Sequence, residues 1–363
     1  MKPVVQTVSL PAGRRVVAVS DIHGHYAYLT GLLERIGFGP DDTLVLVGDL
    51  IEKGPDSLKT LRYVMALCRR YNVYPVCGNC DRAILNLVER EDTAVYGQGL
   101  LAHLLRAARS LPRQMCDALG LAVTPEADEA ALRRALLSEY AAEFDFLRGL
   151  PHILDAGRYV FVHGGAPSED FSTLDADGCM KNDRFLEQGH SFSRWQVVGH
   201  WPVTLYHTDY PRHNPLVRAD RRIVSIDGGC CLKRDGQLNA LLIPDIQSDE
   251  MTFAAYDSLP RRVARDAQQT KPDPFQLRWT DNAVEPLAER DAFTLCRHKR
   301  TGRELWVPTA QLWEEPDGWH SDDATDYRLP VQPGDALSVV LETAQGALCK
   351  KDGVTGWYTG AFA

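Results

Sequence analysis

The sequence predicts an α/β protein that is followed by a small all-β domain. Three β-branched apolar runs, at residues 15–20, 43–47 and 73–76, alternate with two segments of helical apolar spacing. This β-α-β-α-β order is typical of a parallel sheet with helices on its faces. From about residue 275, short β-like runs alternate with turn pairs such as Asp317-Gly318 and Asp352-Gly353, and this pattern predicts hairpins.

Composition limits the class of protein. The 363 residues favour two domains, and 44% apolar with 25% charged residues is ordinary for a soluble globular chain. The net charge of −9 argues against general nucleic-acid binding, which needs a basic surface. We expect no membrane span, because no apolar stretch approaches ~18 residues. Nine scattered cysteines and the lack of an apolar leader favour a cytoplasmic protein with reduced thiols.

Changes in pattern along the chain suggest domain boundaries. Residues 1–258 carry the predicted strands and helices of the first domain, with a mainly helical insert at about 82–150. Residues 259–276 are polar and contain several prolines and arginines, so we predict a linker there. Residues 277–363 are predicted to form a small β-barrel.

Polar side chains follow five of the predicted strands at the point where each strand ends. The ends of parallel strands share one edge of a sheet, where ligands bind. Carboxylates bind hard cations and imidazoles suit transition metals, so a mixed set predicts a site for two metal ions. Two-metal sites hydrolyse phosphate esters. The motifs are Ser20-Asp21-Ile22-His23-Gly24, Gly48-Asp49, Gly78-Asn79-Cys80-Asp81, Val162-His163-Gly164 and Val198-Gly199-His200.

These motifs resemble those of the calcineurin-like metallophosphoesterase superfamily over about residues 14–245. The branch that they resemble holds serine/threonine phosphoprotein phosphatases and symmetrical diadenosine tetraphosphatases. The resemblance implies a four-layer αββα sandwich and two divalent cations, with Mn²⁺ favoured and Fe, Zn, Ni or Mg as alternatives. It also implies that a metal-bridging hydroxide attacks phosphorus. By this resemblance Asp21 and His23 hold one ion, Asp49 holds both ions, and Asn79, His163 and His200 hold the other.

Two departures from the family pattern fall in one functional unit. Cys80 replaces the histidine that acts as general acid in the family, and Glu52-Lys53 replaces an Asp-Arg pair. We expect Cys80 or a water to act as the acid, Glu52 to orient it and Lys53 to bind phosphate. A thiol donates weakly and lysine offers only a point charge, which favours phosphodiesters or nucleotide-type anhydrides over monoesters. Asn79, Arg82 and Arg184 are further candidates for substrate binding.

Other functions stay open at the level of sequence. A serine/threonine protein phosphatase acting on phosphoproteins is the main alternative, followed by a hydrolase of other phosphorylated small molecules. A non-catalytic binding scaffold is the alternative from another class. Cys77-Gly78-Asn79-Cys80 is also a C-x-x-C pattern, but a structural zinc site needs a second pair. The last ~75 residues resemble bacterial SH3-like barrels, whose aromatic grooves bind peptides, so a peptide contact or a self-contact is possible there.

Overall fold

The chain divides into two compact units in its computed structural model, which describes residues 1–90, 99–230 and 232–363. Unit 1 comprises Met1–Pro202 and Pro215–Asp257, and unit 2 comprises Val203–Asn214 and Ser258–Ala363. The second boundary lies next to the one expected at residue 258. The assignment of residues 203–214 to unit 2 was not expected, because nothing in their local pattern marks them as part of a β domain.

Unit 1 alternates strands and helices in its first part and then adds a run of helices before its remaining strands. A short first strand was not predicted, and the three strands and two helices that follow it have the order predicted from apolar spacing. Its elements are β1 (Val5–Thr7), β2 (Val16–Val19), α1 (Tyr26–Arg35), β3 (Thr43–Val47), α2 (Ser57–Arg70), β4 (Asn72–Val76), α3 (Asn79–Glu89), α4 (Leu100–Arg106), α5 (Leu111–Ala118), α6 (Glu129–Glu139), α7 (Ala141–Arg148), β5 (Ile153–Asp155), β6 (Tyr159–Val162), α8 (Ala176–Met180), β7 (Trp195–Val198), β8 (Leu216–Arg218), β9 (Ile223–Ser225), β10 (Leu238–Ile243) and β11 (Thr252–Tyr256).

Two mixed sheets pack face to face in unit 1. One sheet has the strand order β11-β10-β2-β3-β4 and the other has the order β1-β5-β6-β7-β9-β8. Along β2, Val17 and Val19 belong to the core that includes helices α1 and α2, whereas Val16 and Ala18 belong to the core shared with Phe161 of the other sheet. Successive side chains of a strand point to opposite faces, so fully apolar strands fill two cores at once.

The outer face of the second sheet is covered as well. Val160 and Val162 alternate with Phe161 and are also buried. The segment after β6 carries the short helix α8. The carbonyl of Cys179 in this helix accepts a hydrogen bond of 2.7 Å from the amide of Gly164. The unit thus has the helix-sheet-sheet-helix layering that the family resemblance implies.

The predicted insert is mainly helical in its described residues. Helices α3 to α7 occupy most of residues 79–148, and residues 91–98 of the predicted insert lie outside the described part of the chain. Pro112 lies in the first turn of α5, where the hydroxyl of Ser110 accepts the amide of Arg113. Proline is tolerated there because the amide it lacks would be unpaired anyway.

The regular structure of unit 2 consists of strands and short 3₁₀ turns, which loops connect. Its strands form a four-stranded sheet, a five-stranded sheet and a two-stranded pair. Residues 259–276, predicted as a linker, contribute strand structure: Arg261–Val263 pairs antiparallel with Ala336–Ser338. The all-β character agrees with the turn pattern, and the likeness to an SH3-like barrel stays a prediction. The strands are β12 (Arg261–Val263), β13 (Gln276–Leu277), β14 (Ala283–Arg290), β15 (Phe293–His298), β16 (Glu304–Pro308), β17 (Leu312–Glu315), β18 (Gly318–Ser321), β19 (Ala324–Thr325), β20 (Ala336–Thr343), β21 (Gly346–Lys351) and β22 (Val354–Tyr358).

Among residues 1–90, 99–230 and 232–363, no helix combines the length and the apolar character that a membrane crossing requires.

Candidate metal centre

The candidate ligands of unit 1 follow the ends of five strands from both sheets. Asp21 and His23 follow β2, and Asp49 follows β3, which pairs parallel with both β2 and β4. Asn79 comes after β4 as the first residue of α3. In the other sheet, His163 and His200 follow the parallel neighbours β6 and β7. The strand ends therefore bring residues 179 positions apart into contact, as the amide of His200 donates to Asp21 Oδ2 at 3.0 Å.

Asp49 lies at the centre of the group. Its Oδ1 is 3.4 Å from His163 Nε2, and its Oδ2 is 3.7 Å from His23 Nε2. Asp21 Oδ1 lies 3.8 Å from His23 Nε2 and 4.0 Å from His163 Nε2. Two compact donor clusters result, His23-Asp49-Cys80 and Asp21-Asp49-His163, and in each cluster the ligand atoms lie within 4.8 Å of one another. Asp49 belongs to both clusters.

Backbone carbonyls orient the two buried imidazoles. His163 Nδ1 lies 2.8 Å from the carbonyl oxygen of Val47, and His23 Nδ1 lies 3.4 Å from that of Ile51. A ring nitrogen that donates to a carbonyl carries a proton, so Nε2 is the nitrogen of each ring that faces the carboxylates. The ring of His200, the last candidate ligand along the chain, has a different partner. Its Nε2 lies 2.7 Å from Asp183 Oδ1, so only its Nδ1 is left to face a metal ion.

Asn79 and Cys80, the first two residues of α3, contact His163 and Asp49. Asn79 Oδ1 is 3.2 Å from His163 Nε2, and the amide of Cys80 donates to Asp49 Oδ1 at 2.8 Å. The structure therefore brings together Asp21, His23, Asp49, Asn79, Cys80 and His163, with His200 bonded to Asp21.

Four of these residues have an unusual backbone conformation. Asp21, His23, Asp49 and His200 have φ values of 55°, 48°, 51° and 68°. Left-handed backbone is uncommon for residues other than glycine and costs free energy, so it persists where surrounding packing enforces it. Such residues cluster at functional sites, and four of them meet here.

The donor atoms fit a metal ion. Asp21 Oδ1 and His23 Nε2 are buried and have no hydrogen-bond partner within the protein. Buried polar atoms are almost always paired, because leaving one unpaired costs about 1–3 kcal/mol. Carboxylate oxygen and imidazole nitrogen are ligands that divalent transition metals accept, so a cation would satisfy both atoms.

The pKa values show how strongly the acidic and basic groups of this site interact. Burial disfavours the charged form of His163, but the carboxylates of Asp49 and Asp21 raise its pKa to about 10. Burial would also raise the pKa of Asp49, yet His163 and His23 hold it well below its ordinary value. Burial together with the charge of Lys53 lowers the pKa of His23 to about 3, so that ring is neutral. Without metal, one imidazolium therefore offsets the central carboxylate.

Three acidic residues beside the candidates were not selected from the sequence. Asp81 accepts the amides of Leu50, Ile51 and Gly78, which fixes the loop after β3 against α3. Burial, followed by the charge of Asp49, raises the pKa of Asp81 to about 7.

Asp183 and Asp227 complete this acidic surrounding. Asp183 holds the His200 ring, as described above. Asp227 follows β9 and is fully buried, and burial and the charge of Asp21 raise its pKa well above the ordinary value. Its position at a strand end, in Ile226-Asp227-Gly228, is the signal that could have identified it.

The predicted substrate residues have diverse surroundings. Lys53 is exposed, and its charge lowers the pKa of both His23 and Asp49, which places it beside the cluster. The buried carboxylate of Glu52 accepts the amide of Leu111 at 2.6 Å and lies 3.6 Å from His103 Nε2, so it contacts the helical segment.

The two predicted arginines contact other residues. Arg82 donates to Met1 Sδ at 3.3 Å, and Arg184, which is half exposed, pairs with Glu187 at 2.6 Å. These contacts do not direct either side chain to the cluster, and their role toward substrate stays a prediction.

Comparison with known proteins identifies the family to which the chain belongs. The family model of calcineurin-like phosphoesterases matches residues 14–227. The asymmetrical bis(5'-nucleosyl)-tetraphosphatase PrpE of Geobacillus sp. (strain WCH70) is 24% identical over 68% of this chain and 96% of its own length. The symmetrical bis(5'-nucleosyl)-tetraphosphatase of Erwinia tasmaniensis is 43% identical, but the match spans 22% of this chain and a quarter (25%) of that protein.

Among solved structures, the chain is similar to a protein serine/threonine phosphatase from Saccharomyces cerevisiae. It is 14% identical, covers 71% of this chain and 85% of its own, and has a TM-score of 0.44. The family match covers more than half of the chain and contains all six candidate ligands. The chain therefore belongs to the calcineurin-like phosphoesterase family and is a metal-dependent phosphoester hydrolase.

Proposed function

We propose that this protein hydrolyses phosphate esters or anhydrides of nucleotide type, using two divalent cations. One observation carries the proposal: the carboxylate of Asp49 belongs to both donor clusters, with Oδ1 toward His163 and Oδ2 toward His23. A carboxylate with one oxygen on each side is the arrangement that lets a single side chain bind two ions at once.

We divide the six candidate ligands between two positions as the family resemblance implies, with Asp21 Oδ1 near both His23 and His163. Asp21, His23 and Asp49 would hold one ion, and Asp49, Asn79, His163 and His200 would hold the other. When bound, two such ions lower the pKa of a water molecule and stabilise the attacking and leaving oxygens at phosphorus. Mn²⁺ is the first choice because the set combines carboxylate, amide and imidazole donors.

The chain's own residues prepare the site for this chemistry. The amide of Cys80 fixes Asp49 Oδ1, and the carbonyls of Val47 and Ile51 fix the His163 and His23 rings. Because these contacts exist before any ligand binds, little reorganisation remains for the reaction. The exposed ammonium of Lys53 beside the cluster can offset negative charge on a phosphoryl group.

The substrate class is the second part of the proposal. The relative that matches 68% of this chain and the one that matches 22% of it at 43% identity are both named as bis(5'-nucleosyl)-tetraphosphatases. A nucleotide anhydride has a good leaving group, which suits a site where Cys80 stands in place of a histidine acid and Lys53 in place of an arginine. We therefore rank dinucleoside polyphosphates and phosphodiesters above phosphoproteins.

A panel of substrates tests this order. The purified protein with Mn²⁺ is assayed on diadenosine tetraphosphate, bis(p-nitrophenyl) phosphate, p-nitrophenyl phosphate and a phosphoserine peptide. We expect kcat/KM to be highest for the dinucleotide or the diester. Preference for the phosphopeptide would replace the proposal with a protein phosphatase, and preference for the simple monoester would remove the proposed bias.

Replacing Asp49 with asparagine tests the catalytic role of the centre. Asp49→Asn removes one negative charge and one ligand oxygen, and we expect kcat/KM to fall by at least on the order of a hundredfold. Asp41→Asn, at an exposed position, is the matched control and should keep full activity. Unchanged turnover in Asp49→Asn would support the binding-scaffold alternative.

A further inference from the structure

We propose that the sulfur of Cys80 is an additional ligand of the cation at His23 and Asp49, and that this position accepts Zn²⁺ as well as Mn²⁺. The inference rests on the proposed two-cation centre and adds a donor to it. It also changes the role of Cys80, because a sulfur bound to a metal ion cannot act as the general acid.

The first argument is the position of the thiol. Cys80 Sγ, His23 Nε2 and a carboxylate oxygen of Asp49 all lie within 4.8 Å of one another, as closely grouped as Asp21, Asp49 and His163. The three residues are 7%, 1% and 2% exposed, so solvent does not compete strongly for them. Sulfur, imidazole nitrogen and carboxylate oxygen together form a donor set that Zn²⁺ accepts.

The second argument is the unpartnered nitrogen. His23 Nε2 is buried and has no hydrogen-bond partner, while its Nδ1 meets the carbonyl of Ile51 at 3.4 Å. The lone pair of Nε2 is thereby held toward the cluster that contains the sulfur. A buried nitrogen of this kind requires an electrophilic partner, which a cation between His23 and Cys80 would provide.

The third argument is the hydrogen bond that already reaches the sulfur. Cys80 is the second residue of α3, an 11-residue helix, next to Asn79. The Asn79 side-chain amide donates to Cys80 Sγ at 3.6 Å, so an N–H group already faces the sulfur lone pairs. On metal entry the S–H bond breaks, a sulfur–metal bond forms, and the proton passes to the buffer, with no change in oxidation state.

Cobalt substitution tests the ligand directly. The metal-free protein is titrated with Co²⁺, and the near-ultraviolet sulfur-to-cobalt charge-transfer band is recorded together with the visible d–d bands. We expect the charge-transfer band in the wild type and in Cys77→Ser, and we expect its loss in Cys80→Ser. Cys77 is the matched control because it is also buried, lies three residues away and is outside the cluster.

Metal affinity gives a second readout. Competition against a chelator should show that Cys80→Ser loses on the order of tenfold or more in Zn²⁺ affinity, since even indirect partners of a metal site contribute about 10–100-fold. Mn²⁺ affinity should change less, because manganese prefers oxygen ligands over sulfur. Circular dichroism of each variant checks that the fold is retained.

The outcomes separate this inference from the proposed function. Stoichiometric Co²⁺ binding by the wild type without a sulfur band overturns the Cys80 assignment and leaves the two-cation centre intact. A band that persists in Cys80→Ser also overturns it, because the sulfur then comes from another cysteine. Failure of the wild type to bind Co²⁺ overturns both proposals. Because the wild-type spectrum alone decides the first point, the test holds even if a variant misfolds.

Discussion

Glycine residues leave the space that the candidate ligands occupy. A Cβ atom at Gly78 would lie 2.1 Å from Asp49 Oδ1, one at Gly199 would lie 2.4 Å from Asp21 Oδ2, and one at Gly48 would lie 2.7 Å from the His163 ring. Real Cβ atoms do not approach other heavy atoms this closely, so each neighbour would have to shift. At the scale of single residues, the site thus requires positions without a side chain as well as the candidate ligands themselves.

Gly78→Ala should therefore disable the centre although it replaces none of the candidate ligands. The new methyl group would displace Asp49, and misplacement of a catalytic group by about 1 Å can cost on the order of a hundredfold in rate. We expect a loss of that order in kcat/KM, together with weaker binding of Mn²⁺ in a titration. Gly39→Ala is the matched control, since no atom lies within 4 Å of the added methyl group. Equal activity of both variants would contradict this view of the site.

At the scale of elements, the strands that end at the site are also those that the sequence predicts best. Their runs of β-branched residues are buried on both faces, which gives a strong local signal. Thr43–Val47 forms a strand at the predicted residues. Because ligands gather at the carboxyl ends of such strands, the motifs could be located from the sequence, and the family resemblance implied which six side chains would bind metal.

Other features could not be predicted because they depend on distant partners. Ser57 is the first residue of α2, and its hydroxyl accepts the amide of Glu52. The carboxylate of Glu52 finds the amide of Leu111, 59 residues away. Asp183 meets His200 through side chains alone. Local apolar spacing carries no information about which remote group satisfies a polar atom.

An ion pair between elements makes stability depend on pH. Arg15, just before β2, donates to Asp42 Oδ1 at 2.8 Å and to Oδ2 at 2.6 Å, and its Nη1 reaches the carbonyl of Ile36 after α1. Burial would raise the pKa of Asp42, but the bonds from Arg15 and Gly39 lower it below the ordinary value of 3.8. The carboxylate therefore stabilises the fold above pH 3.8, and this contribution is lost as the pH falls through the lowered pKa.

Asp42→Asn should thus destabilise unit 1 at neutral pH by about 1–3 kcal/mol, the usual contribution of hydrogen bonds to a charged group. The difference in the free energy of unfolding between wild type and variant should shrink as the pH drops below about 4, where the wild-type carboxyl becomes protonated. Denaturant unfolding at several pH values measures this. Asp41→Asn, at the exposed neighbouring position, should stay within about 0.5 kcal/mol of wild type at each pH. A pH-independent difference for Asp42→Asn would point to packing rather than charge.

At the scale of the whole molecule, the candidate metal centre belongs to only one of the two units. All six candidate ligands and the acidic residues around them belong to unit 1. Unit 2 is a β domain whose buried residues form their own hydrophobic clusters, around Leu337 and Cys349 in one case and around Leu277 and Val307 in the other. A ligand that binds the centre should therefore stabilise the structure of unit 1 selectively.

Hydrogen exchange with and without Mn²⁺ measures this selectivity. At a metal concentration 100 times the dissociation constant, binding stabilises the bound state by about 2.7 kcal/mol, so exchange through global opening should slow by roughly a hundredfold. We expect protection in peptides that cover residues 16–25, 43–54, 76–82, 159–165 and 195–201. Peptides from β20 to β22 serve as the internal control and should not change. Equal protection throughout both units would show that metal binding is not confined to unit 1.

The left-handed backbone at Asp21, His23, Asp49 and His200 has an evolutionary consequence. Glycine adopts this conformation without steric cost, so replacement by glycine would relax the chain at each position while deleting a donor atom. Glycine at Asp21 or Asp49 would, however, leave the amides of His200 and Cys80 without their acceptors. Selection for stability alone is therefore not expected to remove these side chains, and the strained backbone is retained together with them.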